Sequence, residues 1–141
     1  MGEAERIAVD FAFLADDDEV LAMLLFGSGA RGDADQRSDR DICIVAPELR
    51  DARTRLVILR AIFDRLDVRG KRYDLWFFEE LPLYMKIRVI EHHEVIFCRD
   101  LPALYEYLYF YRKLWGDQKH RQDLEKRELL EILDKQSGAK I

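Results

Sequence analysis

The sequence predicts an α/β layer structure, and three observations carry that expectation. Short apolar runs alternate with longer segments of helical periodicity. The runs fall at residues 20–26, 41–45, 72–78 and 95–98, enough for a sheet of about four strands. The chain has 141 residues, 49% of them apolar and 36% charged, which suits one domain with a sizeable core.

Taken in order, residues 4–14 carry Ile7, Phe11 and Leu14 at the i, i+4, i+7 spacing of a helix, ended by Asp16-Asp17-Asp18. Residues 20–26 are continuously apolar, and their length and the following Gly27 favour a buried strand. Residues 41–45 form a second strand closed by Pro47. Residues 52–66 are helical, with Leu56, Leu59, Ile62, Phe63 and Leu66 on one side. Residues 72–78 are rich in aromatics, which suit a pleated surface. A helix over 81–91, a short strand over 95–98 and a tyrosine-rich helix over 101–115 follow. Gly116 breaks this last helix from a more polar one over 117–134. The organisation is a core over 1–99 and a helical extension over 100–141 packed on it, as a single domain.

Composition narrows the function. The net charge of −5 opposes non-specific nucleic-acid binding. Residues 112–127 hold six basic and three acidic side chains, a local +3 that reads as a solvated helix face or as a docking surface for an acidic partner. No apolar stretch reaches the ~20 residues of a membrane span, and the first residues do not read as a signal peptide. A cytoplasmic location is expected. Cys43 and Cys98 each sit in an apolar run and read as small core residues. His92-His93-Glu94 reads as a helix end followed by a turn, because adjacent residues on a helix diverge and one ion rarely takes both imidazoles.

The chemistry concentrates after the first strand. Gly27-Ser28-Gly29-Ala30-Arg31-Gly32 is a glycine-rich turn. Glycines let the backbone reach positive φ and let a ligand approach, Ser28 adds a hydroxyl donor, and Arg31 a fork suited to phosphate oxygens. A Walker-type loop would end in Gly-Lys-Ser/Thr, which is absent. By itself the turn reads first as an ordinary strand-to-helix connection.

Ser38-Asp39-Arg40-Asp41 then leads into Ile42-Cys43-Ile44-Val45. In a strand, residues i and i+2 face one side, about 6.6 Å apart, so Asp39 and Asp41 converge and Arg40 points away. Two carboxylates on one face disfavour each other's ionisation, and a divalent cation relieves that cost. The alternative is a solvated turn. Asp74 lies in a run that otherwise suits a buried strand, where a charge needs a partner or a metal. Beside the Asp41 strand it completes a carboxylate triad; otherwise it pairs with Arg69, Lys71 or Arg72.

These residues resemble the minimal nucleotidyltransferases, a branch of the DNA polymerase β-like superfamily, over roughly residues 20–78. The family pattern reads here as Gly27-Ser28, Ala30-Arg31-Gly32 and Ser38-Asp39-Arg40-Asp41-Ile42, with Asp74 as the later acid. Gly29 and Arg40 depart from it: larger residues are common at the first position, apolar or aromatic ones at the second.

The resemblance implies the nucleotidyltransferase fold, a small mixed sheet flanked by helices. It implies transfer of a nucleoside monophosphate from a triphosphate to a hydroxyl, with release of pyrophosphate. Asp39, Asp41 and Asp74 would be the catalytic acids and the ligands of two Mg²⁺ ions. Gly27, Ser28, Arg31 and Ser38 would hold the nucleotide, ATP. Several members resemble antitoxins that act on small helical HEPN-type toxins, some by placing AMP on a toxin tyrosine, so a HEPN-type partner is implied and a homo-oligomer is compatible. Tyr105, Tyr109 and the basic segment are candidate contacts. Two alternatives stay open: a non-catalytic module that neutralises a partner by contact, and adenylylation of a small molecule.

Overall fold

The structure is a computed structural model that describes residues 2–27 and 39–139, with side chains as far as residue 135 in the last helix. Ser28, Arg31 and Ser38, implied as nucleotide contacts, lie outside the described residues.

The four strands are β1 (Ala22–Phe26), β2 (Arg40–Val45), β3 (Tyr73–Phe77) and β4 (His93–Cys98). They form one mixed sheet in the order β3-β2-β1-β4. β1 is antiparallel to both neighbours, and β2 runs parallel to β3. Every residue of β1 is buried, which explains its unbroken apolar run: a central strand covered on both faces has no solvent side to mark with polar residues.

Helices α1 (Glu3–Asp10) and α2 (Ala52–Arg65) cover one face of the sheet, and α3 (Leu83–Glu91) and α4 (Leu101–Ala139) cover the other. The alternation of side chains along β1 and β2 splits the core accordingly. Met23, Leu25, Ile42 and Ile44 meet Ile7, Phe11, Ile58 and Ile62 on the first face. Leu24, Phe26, Cys43 and Val45 meet Val89, Leu104 and Leu108 on the second. Asp51 starts α2 as an N-cap, its carboxylate accepting the Thr54 backbone N–H at 2.8 Å.

Three expectations are corrected. The first helix is shorter than expected: α1 stops at Asp10, and Ala12–Leu14 form a 3-10 turn. On α2 the buried residues are Ile58 and Ile62, while Leu56 and Phe63 are 62% and 56% exposed. The expected stripe was correct in period but displaced around the helix. Gly116 does not break the last helix, since α4 runs continuously from Leu101 to Ala139. A glycine inside a helix costs about 1 kcal/mol relative to alanine, and the Lys, Arg, Glu, Gln and Leu residues that follow are good helix formers. Residues 116–135 of α4 are all exposed.

Candidate active site

The parallel pairing of β2 with β3 sets Asp41 directly opposite Asp74. Both side chains leave the sheet on the face that carries Cys43, Val45 and Trp76, the side of α3 and α4. The Asp74 carboxyl stands beside that of Asp41, and Asp39 lies close enough to add to the negative field. Trp76, two residues beyond Asp74, points its indole Nε1–H at Asp41 Oδ1 from 3.4 Å. Asp41's carboxyl titrates above the ordinary carboxylate range. Burial is the main cause and the neighbouring acids reinforce it, against the lowering effect of Trp76. A hard divalent cation would relieve the cost of holding the Asp41 charge beside these acids.

Asp74 is exposed, on the edge strand of the sheet, so the buried environment expected from its apolar neighbours is corrected. What brings it to the site is register. Of the cations that could have neutralised it, Lys71 is held by Asp10 at 3.0 Å. Among the described residues, no three His, Cys, Asp or Glu side chains are gathered closely enough to hold a metal ion as they stand. The donor chemistry is of the kind magnesium takes: Asp41 and Asp74 are register partners that bring carboxylates to one face, and Asp39 shares their field.

Arg40 points to the opposite face, as strand alternation requires. Its Nε donates to Glu3 Oε1 of α1 at 2.6 Å. The guanidinium thus closes no gap between the acids and instead ties α1 to the base of β2.

Gly27 ends β1 with a φ of +70°. A Cβ built there would stand 2.6 Å from Asp41 Oδ2, so the absent side chain is what admits the carboxylate. Gly27 and Asp41 open onto a cleft of roughly 530 Å³ whose other walls are Phe26, then Met85, Arg88 and Glu91 of α3, and His92 just past its end. These last four were not singled out for the site. Their i, i+3, i+6, i+7 spacing marks one helix face, but only the packing of α3 shows that this face borders the acids. His93 diverges from His92, its Nδ1 lying 2.8 Å from the Val89 carbonyl oxygen, and it opens β4 directly with no turn between.

The arrangement offers facing carboxyls, a glycine turn beside them and a roomy cleft, which is equipment for a metal-bound phosphate ester. A family model described as "Polymerase beta, Nucleotidyltransferase" matches residues 11–101. The chain belongs to this nucleotidyltransferase family. A putative protein adenylyltransferase of Methanocaldococcus jannaschii is 42% identical to it over 103 residues, 73% of this chain and 75% of the relative. Solved structures share the fold at low identity. One is a toxin–antitoxin crystallised with AMP-PNP, with a TM-score of 0.64 and 14% identity, covering 87% of this chain and 98% of the other. Another is a tri-AMPylated Shewanella oneidensis HEPN toxin in complex with MNT antitoxin, with a TM-score of 0.59 and 10% identity, covering 89% and 98%. Among the described residues of this nucleotidyltransferase, no helix is long and apolar enough to cross a membrane.

Proposed function

We propose that this nucleotidyltransferase moves AMP from ATP to a tyrosine hydroxyl of a HEPN-type toxin and thereby acts as its antitoxin in the cytoplasm. The observation that carries the reading is the opposition of Asp41 and Asp74 across β2 and β3, on the cleft side of Gly27. The protein adenylyltransferase relative and the AMPylated toxin of the structural neighbour supply the acceptor class.

In this reading the acceptor oxygen attacks the α-phosphorus, the bond to the bridging oxygen of pyrophosphate breaks, and the acceptor's proton leaves toward Asp74. Two Mg²⁺ ions, held by Asp39, Asp41 and Asp74, would neutralise the charge on the reacting phosphate and make the hydroxyl more acidic. Gly27, with Ser28, Arg31 and Ser38, holds the nucleotide. Most of the rate gain then comes from positioning and electrostatics, as is general for such transfers.

The test is transfer of label from α-labelled ATP to the toxin in the presence of Mg²⁺. Asp39→Asn and Asp41→Asn should each lose transfer while remaining folded. Undiminished labelling by the Asp41 variant would remove the metal-site argument. Intact neutralisation of the toxin by a variant that no longer labels it would favour control by contact alone.

A further inference from the structure

We propose that Arg88, on α3, is a phosphate-binding residue of this enzyme, holding the triphosphate from the wall opposite Asp41. The inference rests on the nucleotidyltransferase reading and extends its site to a helix that the motif residues do not include.

Among its described residues the cleft carries more negative than positive charge, which disfavours a polyanion. Asp41 and Glu91 line it, and Asp39 and Asp74 lie beside it. Arg88 is the only arginine or lysine among its described lining residues. Its guanidinium makes no hydrogen bond, ion pair or ring contact among the described residues, not even with Glu91 three positions along. An arginine on a cleft wall with its donors unspent is set for an incoming anion, and the planar fork suits two phosphate oxygens at once.

The helix beneath it is firmly seated. Lys86, Ile87 and Val89 are buried on the faces of α3 that turn from the cleft. The Lys86 ammonium donates to the Leu81 carbonyl oxygen and sits 5.6 Å from the Phe78 ring centre and 5.3 Å from that of Tyr111. Arg88 therefore projects from a fixed backbone, and His92, one turn further on, adds a ring N–H to the same wall. Phe26 and Met85 give the cleft an apolar side where a base, rather than a phosphate, would rest.

The experiment measures binding of ATP and of adenosine, with Mg²⁺, to the full chain and to Arg88→Ala, Arg88→Lys and Glu91→Gln. Arg88→Ala should weaken ATP binding about 10- to 100-fold and leave adenosine binding unchanged. Arg88→Lys should recover part of the loss, and Glu91→Gln should bind ATP as well as or better than the wild-type chain. In steady-state transfer the alanine variant should raise KM for ATP more than it lowers kcat. Unchanged ATP binding by Arg88→Ala, with wild-type binding intact, overturns the role of Arg88 alone. Equal loss of ATP and adenosine also overturns it, by showing that Arg88 shapes the cleft and does not grip phosphate. Absence of ATP binding by the wild-type chain overturns the nucleotidyltransferase reading and this inference with it.

Discussion

Gly27 and Asp41 occupy space that would otherwise be contested: a Cβ on Gly27 would lie 2.6 Å from Asp41 Oδ2, at a φ of +70° that side chains rarely adopt. The glycine is thus a steric condition for the acid's placement. Gly27→Ala should destabilise the fold by about 1–2 kcal/mol through the left-handed backbone. It should also cut transfer at least tenfold by pushing the Asp41 carboxylate aside. Denaturant melts and Mg²⁺ titrations of activity check both effects. Wild-type Mg²⁺ dependence in that variant would show that Asp41 needs no such clearance.

Asp41 titrates above the usual carboxylate range because burial and the neighbouring acids penalise its charge. The sign follows from linkage. An acid whose folded pKa is raised stabilises the fold while protonated, and that contribution is lost as pH climbs through the raised value. At pH 7 the charged form is therefore a strain on the apo fold, partly screened by solvent. Asp41→Asn should raise the melting temperature by about 1–3 °C at pH 7 and by less near pH 4, while abolishing transfer. Mg²⁺ affinity of the unaltered chain should fall as pH drops toward the raised value, with proton release on binding measurable by calorimetry in buffers of different ionisation enthalpy. An Asp41→Asn melting temperature below wild type would contradict the repulsion between these acids.

A half-buried polar node joins α4 to the sheet. Glu79 accepts the Ala46 backbone N–H at 3.0 Å and the Tyr107 hydroxyl at 3.0 Å. Desolvation pushes its carboxyl up. Tyr107→Phe removes a donor to this half-buried acid and should cost about 1.5–3 kcal/mol in urea unfolding. Glu79→Gln keeps one acceptor oxygen in place of two and removes the negative charge near the buried Lys86 ammonium. Its penalty should therefore diminish at alkaline pH, where that lysine loses its proton more readily than usual. A Tyr107→Phe chain as stable as wild type would show that α4 is anchored by its apolar side chains alone.

Helix α4 is anchored at one end only. Leu104 and Leu108 are buried in the core, whereas residues 116–135 are exposed. Truncation after Trp115 should leave the melting temperature within about 2 °C of wild type, because little tertiary contact is removed. The helical signal of the lost segment should vanish from the circular dichroism spectrum. A large drop in melting temperature would mean that the distal half supports the fold.

Much of this arrangement was legible in the residues, for identifiable reasons. The unbroken run before Gly27 announced a strand covered on both faces. Strand alternation with period two put Asp41 and Arg40 on opposite faces. Arg40 had to point away, and it does, toward Glu3. Elsewhere periodicity underdetermined the result. Helix α2 carries apolar residues around more than half its circumference, so periodicity put Leu56 and Phe63 on the internal side and left Ile58 off it. Only the crossing of that helix over the sheet selects which of them is covered.

Trp76 could have been found, since it shares a strand face with Asp74. Arg88, Glu91 and His92 could not, because a spacing along α3 names a face without naming its neighbour.

By itself the sequence determined the elements, the alternation within each strand and the family, because these depend on bonds and patterns local to the chain. Tertiary structure alone decided that Asp74 stands opposite Asp41, and that Arg88 of α3 lines the same cleft as Asp41. Strand register and helix docking bring together residues more than thirty positions apart, and no local periodicity encodes such a distance.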